Sequence, residues 1–493
     1  MKLGIQMSRT HSLSKSRFLS GYQCQKKLWL EKHHRDLMAP YSESTQRILD
    51  QGTRVGELAQ DQFPGGFEIE ADHFHIHEAV SDTAKALDSK VKVLFEGCFI
   101  YDDILVRPDV LIMEDSGSWQ LIEVKSTTKV KPEHVIDVAV QKHVLEGCGL
   151  TIASSHLMHI DNQCVYPDLD TLFEIEDISD DVIATQKWIP SKAAEFLKTL
   201  EETTEPVREI GEHCRSPYEC PFIAYCWKHV PEYSIFTLPG ARWTAKTEYI
   251  KKGLLALDDV NEATLNERQL KYLQSYRTQK PHINSGAIGN ELEKLEYPLY
   301  FLDFETDGPA IPRFDGMRPF EQFPFQFSCH VLTAEGEVTH AEYLHDDLSD
   351  PRESIAQALV SAIGPVGSII AYNAPFEIRF VKNLAQWIPS LKADLLAMID
   401  RFWDQLPIFR NHYIDYRFLG SASIKDVLPV LVPGLSYGGL NVSGGTEAQA
   451  GWNTMIYDSD PRTKEKLRAD LLTYCGQDTY AMVEIHRVLE KMI

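Results

Sequence analysis

The sequence has no apolar run long enough to cross a bilayer, which takes about 20 consecutive residues. Its opening residues, Met1-Lys2-Leu3-Gly4-Ile5-Gln6, lack the apolar core of a secretory signal. A cytoplasmic protein with no membrane partner is expected. Nor is there an excess of basic residues: 49 Lys and Arg stand against 72 Asp and Glu, a net charge of −23. That excludes broad, sequence-independent coating of DNA, which needs a basic surface. It leaves room for an enzyme that meets phosphate through divalent metal and local basic patches. Cysteine is scarce and odd in number, nine in 493 residues, so a disulfide framework is not expected in this setting. Five of the nine, Cys98, Cys148, Cys164, Cys329 and Cys475, sit in apolar or helical contexts and read as core residues. No internal repeat and no low-complexity tract is found.

What is present is a chain too long for one core, so two or three domains are expected. Residues 8–35 read as a helical opening segment that Ser14 or Ser16 caps, and a second helix runs from about Glu43 to Phe63. Residues 91–125 alternate as strands do, in runs over 91–95, 104–112 and 119–125. A helix over 132–147 and a strand over 151–158 follow. Residues 230–296 are charged and helix-prone, a helical connector. From about Tyr297 strand patterns return at 299–304, 325–331 and 368–372, and a last helix spans about Thr463 to Met492. The fold class is α/β, with an N-terminal domain over 1–229 and a C-terminal domain over 297–493.

Two constellations carry chemistry. In the first, Arg107-Pro108-Asp109 precedes Ile122-Glu123-Val124-Lys125. Glu123 and Lys125 are two apart on one strand, so they share a face, and hairpin pairing brings Asp109 to them. Two carboxylates suit a hard divalent ion such as Mg²⁺ or Mn²⁺, which lowers the pKa of a bound water and offsets charge on a phosphate. Lys125 then positions or helps deprotonate that water, or contacts the phosphate. Gln141, on the next helix, steadies the lysine or the substrate. Glu57 is a further candidate ligand. A Glu-x-Lys tripeptide alone is an ordinary edge-strand pattern; the Arg-Pro-Asp before it and the glutamine helix after it favour chemistry.

The second constellation begins in Phe301-Leu302-Asp303-Phe304-Glu305, which sets two carboxylates on one face of a strand. Tyr474 and Asp478 stand at i and i+4 on a helix. Between them comes Tyr372-Asn373-Ala374-Pro375-Phe376-Glu377. Three separated segments each deliver an acid, as a two-metal site needs, with Tyr474 orienting water.

The first set of residues resembles the PD-(D/E)XK nucleases, specifically the RecB-like exonucleases with cysteine ligands, over roughly residues 14–228. These include the CRISPR-adaptation exonucleases and AddB-type helicase–nuclease subunits. The resemblance implies a [4Fe–4S] cluster on Cys24, Cys214, Cys220 and Cys226, one cysteine upstream of the nuclease motifs and three downstream. Such a cluster acts as a staple that closes a long loop around the active site. Both downstream gaps here hold five residues, where the family has a short gap and then a longer one. Zinc, or His213 in place of one thiolate, therefore stays open. Lys26 and Lys27, beside Cys24, read either as phosphate contacts or as solvated helix residues.

The second set resembles the DnaQ-like 3′–5′ exonucleases of the RNase H-like fold, in the tyrosine-containing DEDDy subtype, over about residues 297–493. Asp303 and Glu305 match its first motif; Tyr474 and Asp478 match its third. Glu377 stands where the second motif has aspartate. Ser421-Ala422-Ser423-Ile424-Lys425-Asp426 resembles the segment before the third motif.

Together the resemblances imply a dual metal-dependent nuclease in DNA processing, repair or defence, acting on DNA more readily than RNA. The overall arrangement is similar to an uncharacterised bacterial family that joins both modules. A helicase or defence-system protein is a candidate partner. Two other readings stand beside it: one active module with the other as a nucleic-acid scaffold, or a metal-stabilised interaction protein without catalysis.

Overall fold

The computed structural model describes residues 12–458 and 460–493. The fold is mixed α/β, with several sheets and many helices. The chain divides into two compact units. One runs to His229 and includes Pro309–Glu321; the other comprises Val230–Gly308 and Gln322–Ile493. Among the described residues, no helix is long and apolar enough to cross a membrane.

The first unit is built on a six-stranded sheet in the order Phe67–Glu68, Val93–Phe95, Val110–Met113, Trp119–Lys125, Ile152–Ile160, Phe173–Asp177. Val110–Met113 and Trp119–Lys125 pair antiparallel, with Val110 opposite Ile122. Trp119–Lys125 and Ile152–Ile160 run parallel, joined through the helix Pro132–Gly147. That helix is buried on most sides, because its Ile136, Val138, Ala139, Val140, Val144 and Leu145 sit in the core. Each such fully buried aliphatic residue larger than alanine contributes about 1.5–3 kcal/mol.

The single strand expected over 104–112 is two strands. Ile104–Val106 joins a three-stranded sheet with Leu13–Ser14 and Phe99–Tyr101, while Val110–Met113 joins the main sheet. The break falls at Arg107-Pro108, because Pro108 has no N–H to continue a ladder. The opening helical segment is also two elements, Lys15–Gln23 and Gln25–His33, with Cys24 extended between them (φ −165°, ψ 117°). Ser14 takes the cap, its side chain accepting from Arg17 N at 3.2 Å. The first residues of that segment, 8–11, and the leader reading of Met1–Gln6 lie outside the described residues.

The second unit holds a five-stranded sheet in the order Val338–Leu344, Phe323–Leu332, Leu299–Asp307, Ile369–Ala371, Phe402–Asp404. The first two pairings are antiparallel and the last two parallel. Two of these strands, Val338–Leu344 and Phe402–Asp404, have no strong strand pattern in the sequence. The first carries Thr339, His340 and Glu342 at a sheet edge, and the second is three residues long. The long helix Pro461–Glu490 starts behind Asp460, whose carboxylate accepts from Thr463 N at 3.2 Å. It buries Leu471, Cys475, Met482 and Ile485 completely.

Residues 230–296 belong to this second unit. Tyr272, buried on the helix Glu267–Thr278, reaches Tyr416 O at 3.5 Å, and His282–Ile283 pairs with Tyr413–Ile414. Gly420 is held at φ +77° so close to the same stretch that a Cβ there would lie 1.7 Å from Thr237 O. Glycine is the residue that this approach permits.

Candidate functional site

In the first unit, Pro108 and the strand start at Val110 aim Asp109 at the neighbouring strand. Asp109 Oδ2 accepts from Val124 N at 2.6 Å. Glu123, 1 % exposed, receives Lys125 Nζ at 2.5 Å and Lys15 Nζ at 2.7 Å on Oε1, and Gln141 Nε2 at 2.7 Å on Oε2. Asp137 completes the network: it accepts Lys125 Nζ at 2.8 Å, Lys15 Nζ at 3.2 Å and Gln141 Nε2 at 3.1 Å. Gln141 is fully buried and its Oε1 has no hydrogen-bond partner.

Burial works to raise both Asp109 and Asp137; the lysines decide which stays raised. Asp137 is held well below the usual range because Lys125 and Lys15 outweigh its burial. Asp109 stays well above it, through burial and then the Glu123 charge, which the lysines do not overcome. Burial works to lower Lys125, but Asp137, Glu123 and Asp109 hold it well above its ordinary value. Lys125 therefore stays an ammonium, suited to positioning and charge neutralisation rather than to taking a proton.

The structure brings Asp109, Glu123, Lys125 and Gln141 together and leaves Glu57 elsewhere. Glu57 is exposed on the helix Glu43–Gln60 and pairs with Arg54 at 2.9 Å. Lys15 and Asp137 are members that sequence reasoning did not single out. Asp137 had a signal, an acid four residues before Gln141 inside an apolar helix, where i and i+4 share a face. Lys15 had none, because only the fold carries it across 108 residues to Glu123.

The four cysteines line one small hollow of about 20 Å³, with His213, Lys26, Lys27 and Arg208. Gln23 Nε2 ties the opening helices to the later cysteine segment, donating to His213 O at 2.8 Å and Tyr218 O at 2.6 Å. Trp29 and Leu30 pack with Cys220 and Phe222. Burial pushes the Cys220 thiol up to about 11 and also raises Cys24 and Cys226. Lys26 pairs with Glu205, and Lys27 donates to Gln23 Oε1 at 2.9 Å. His213 Nε2 lies 3.8 Å from Cys214 Sγ.

In the second unit, Asp303, Glu305 and Asp478 offer ligand atoms that all lie within 4.8 Å of one another. The strand Leu299–Asp307 carries the first two and the helix Pro461–Glu490 the third. Asp303 and Glu305 are pushed well above the usual range by burial and then by Asp478. Asp478 rises to about 6 through burial, although Tyr437 Oη donates to its Oδ1 at 2.5 Å. Glu377, on the first turn of the helix Ala374–Trp387, is 2 % exposed, and its Oε2 has no hydrogen-bond partner. Burial and then Asp404 raise it to about 8. Its charge also acts on Asp303 and Glu305, from outside the group of three whose ligand atoms lie within 4.8 Å.

Tyr474 is buried beside Asp478, one turn earlier on the same helix. Lys425 Nζ sits 5.3 Å from its ring and 5.5 Å from the ring of Tyr437, and donates to Ser443 O. Gly445 faces Glu305, a Cβ there lying 3.5 Å from Oε2. The structure thus gathers Asp303, Glu305, Glu377, Tyr474 and Asp478. Lys425, legible only as part of a longer segment, and Tyr437, with no pattern around it, join them. Crowded acids with one nearby ammonium either take up protons or hold cations.

Comparison with known proteins places these residues among uncharacterised relatives. Residues 300–423 match the domain of unknown function DUF2779. That span includes Asp303, Glu305 and Glu377. The chain is 25 % identical over 281 residues to the uncharacterized protein UU173 of Ureaplasma parvum, covering 51 % of this chain and 40 % of that protein. It is 22 % identical over 295 residues to the uncharacterized protein MG366 of Mycoplasma genitalium, covering 52 % of this chain and 44 % of that one. The chain thus matches less than half the length of either relative. The crystal structure of SSO0001 aligns at 12 % identity over 46 % of this chain and 90 % of that one, with a TM-score of 0.23.

Proposed function

We propose that the protein is a metal-dependent nuclease with two phosphodiester-cleaving units, acting on DNA and, in the second unit, on DNA or RNA. The observation that carries this reading is the convergence of Asp303, Glu305 and Asp478 within 4.8 Å. The unpartnered, buried Glu377 Oε2 supports it, because an orphaned acceptor among acids fits a cation. Divalent ions such as Mg²⁺ or Mn²⁺, held by Asp303, Glu305, Glu377 and Asp478 and separately by Asp109 and Glu123, supply the charge and the lowered water pKa that phosphodiester hydrolysis needs.

The chain's own residues do the rest. Tyr474 orients the attacking water from beside Asp478. Lys425 offers positive charge to the scissile phosphate. In the first unit Lys125 and Lys15 keep Asp137 ionised and pair with Glu123, and Lys125 meets phosphate as an ammonium. Gln141 fixes Glu123 and has an acceptor, Oε1, left for water or substrate.

The cysteine hollow fits a metal group: four sulfur donors meet there beside Lys26, Lys27 and Arg208. A zinc site with Zn–S bonds of about 2.3 Å sets its sulfurs roughly 3.8 Å apart. Among the described residues the one group of three ligand atoms within 4.8 Å is the acidic one. The four-cysteine set, one before the acid motifs and three after, supports a [4Fe–4S] cluster on Cys24, Cys214, Cys220 and Cys226 as a structural staple, with zinc as the alternative.

The test is cleavage of labelled single- and double-stranded DNA and RNA with Mg²⁺ or Mn²⁺, by wild type, Asp109→Asn, Asp303→Asn and the double variant. Two active units predict residual cleavage in each single variant and none in the double. Absence of metal-dependent cleavage by wild type on every substrate rejects the proposal. Protein purified anaerobically is expected to be brown and to lose iron on Cys220→Ala; colourless protein with stoichiometric zinc rejects the cluster.

A further inference from the structure

The connection between the strands Leu299–Asp307 and Phe323–Leu332 does not stay with its own sheet. Its residues Pro309–Glu321 belong to the first unit. Four contacts tie this strap down there. Ala310 N donates to Gln51 Oε1 at 3.2 Å, and Gln51 Nε2 reaches on to Ser126 Oγ at 3.2 Å. Tyr166 N donates to Met317 O at 2.9 Å, and Gly316 N to Tyr166 O at 3.0 Å. Ala310 is buried in one apolar cluster with Val55 and Ile160.

The strap forms one wall of an open groove of about 670 Å³. Across it lie Lys129 and Lys131, with Arg318 and Phe320 on the strap. The groove is lined by the segment that leaves the carboxylate site: its Ser126 and Thr127 follow Lys125 directly, and Lys131 precedes the helix that delivers Asp137 and Gln141. Lys129 is exposed and Lys131 half-buried, and among the described residues neither meets a carboxylate partner. Arg318 is exposed and spends one guanidinium donor on Gln163 Oε1 at 2.5 Å. Phe320 holds φ +61°, a left-handed conformation uncommon for a bulky residue, fixed by its N–H to Pro309 O at 2.9 Å. Its ring packs partly on the Val55–Ile160 cluster and lines the groove.

We infer that this groove is the substrate path of the first unit and takes a single nucleic-acid strand, with phosphates on Lys129, Lys131 and Arg318 and a base against Phe320. The inference rests on the nuclease reading above for what happens next to it. A chain of net charge −23 that lines one groove with three cations and an aromatic ring against a single acid, Glu321, which accepts from Arg318 N at 2.9 Å, has the composition of a strand-binding channel.

The experiment is equilibrium binding of a fluorescent oligothymidylate in chelator, so that no cleavage is needed for the readout. Lys129→Ala/Lys131→Ala/Arg318→Ala is expected to weaken binding and to flatten the slope of log affinity against log salt by about 2, at roughly 0.7 per lost phosphate contact. Phe320→Leu, which keeps the apolar packing, is expected to weaken binding about tenfold without changing that slope. Equal binding by wild type and the triple variant overturns the inference. So does binding of duplex alone, equal competition by polyglutamate, or no binding by wild type. Loss of binding in the triple variant together with a wild type that cleaves nothing sustains the groove and rejects the nuclease reading. Cleavage by wild type with unaltered binding in the triple variant does the reverse.

Discussion

The two carboxylate clusters differ in how their charge is balanced. In the first unit Glu123 and Asp137 each meet both Lys15 and Lys125, so only Asp109 is left without a close cation. In the second unit Asp303, Glu305, Asp478 and Glu377 are all raised; Lys425 offsets Glu305 and Asp478, and Arg379 offsets Glu377, without overcoming burial. A balanced network holds its shape without metal. An unbalanced one binds protons more tightly than free carboxyls do and has room for a cation. Under the proposed function, the first cluster is prebuilt and the second is expected to gain stability from a bound cation.

The sharpest way to break this contrast is Asp303→Asn. It removes a ligand, and the expected loss in second-unit cleavage is on the order of 10³-fold in kcat. The same change relieves repulsion, so the metal-free protein is expected to melt higher than wild type. A variant that melts lower would erase the distinction between the clusters. Lys15→Ala is the counterpart in the first unit. It strips one cation from Glu123 and Asp137, and chemical denaturation is expected to show a loss of about 2–3 kcal/mol. That is less than a fully buried pair, because the Lys15 side chain is 22 % exposed. Lys15→Arg is expected to restore part of it.

A smaller effect sharpens the comparison through pH. Glu377 titrates at about 8 in the folded protein against an ordinary value of 4.5, so the folded state binds its proton more tightly. Stability of the metal-free protein is expected to fall as pH rises between those two values, and Glu377→Gln to flatten that fall in a melting series. Asp137 has the opposite sign: its depressed value gives stability above the ordinary aspartate range that is lost only in stronger acid. Smallest of all is Glu57→Ala. Exposed and paired only with Arg54, Glu57 is expected to change stability by less than about 0.5 kcal/mol, and cleavage not at all.

Much of this was legible in the residues. Strand alternation placed Glu123 with Lys125 and Asp303 with Glu305, because a period of two is local. The helix spacing of Tyr474 and Asp478 was readable for the same reason. Lys15 and Tyr437 were not, since each reaches its carboxylate through tertiary packing rather than through a repeat. Pro108 was read as part of a motif when it also divides a strand between two sheets. The strap was illegible in a stronger sense. Nothing in Pro309–Glu321 says that a loop between two strands of one unit completes a groove of the other.

The most direct test of the central claim is a calorimetric Mn²⁺ titration near the Glu377 titration point of about pH 8, on wild type, Asp109→Asn and Asp303→Asn. The account predicts saturable binding in wild type, a large share of it kept in Asp109→Asn, and its loss in Asp303→Asn. Identical isotherms for wild type and Asp303→Asn would contradict it.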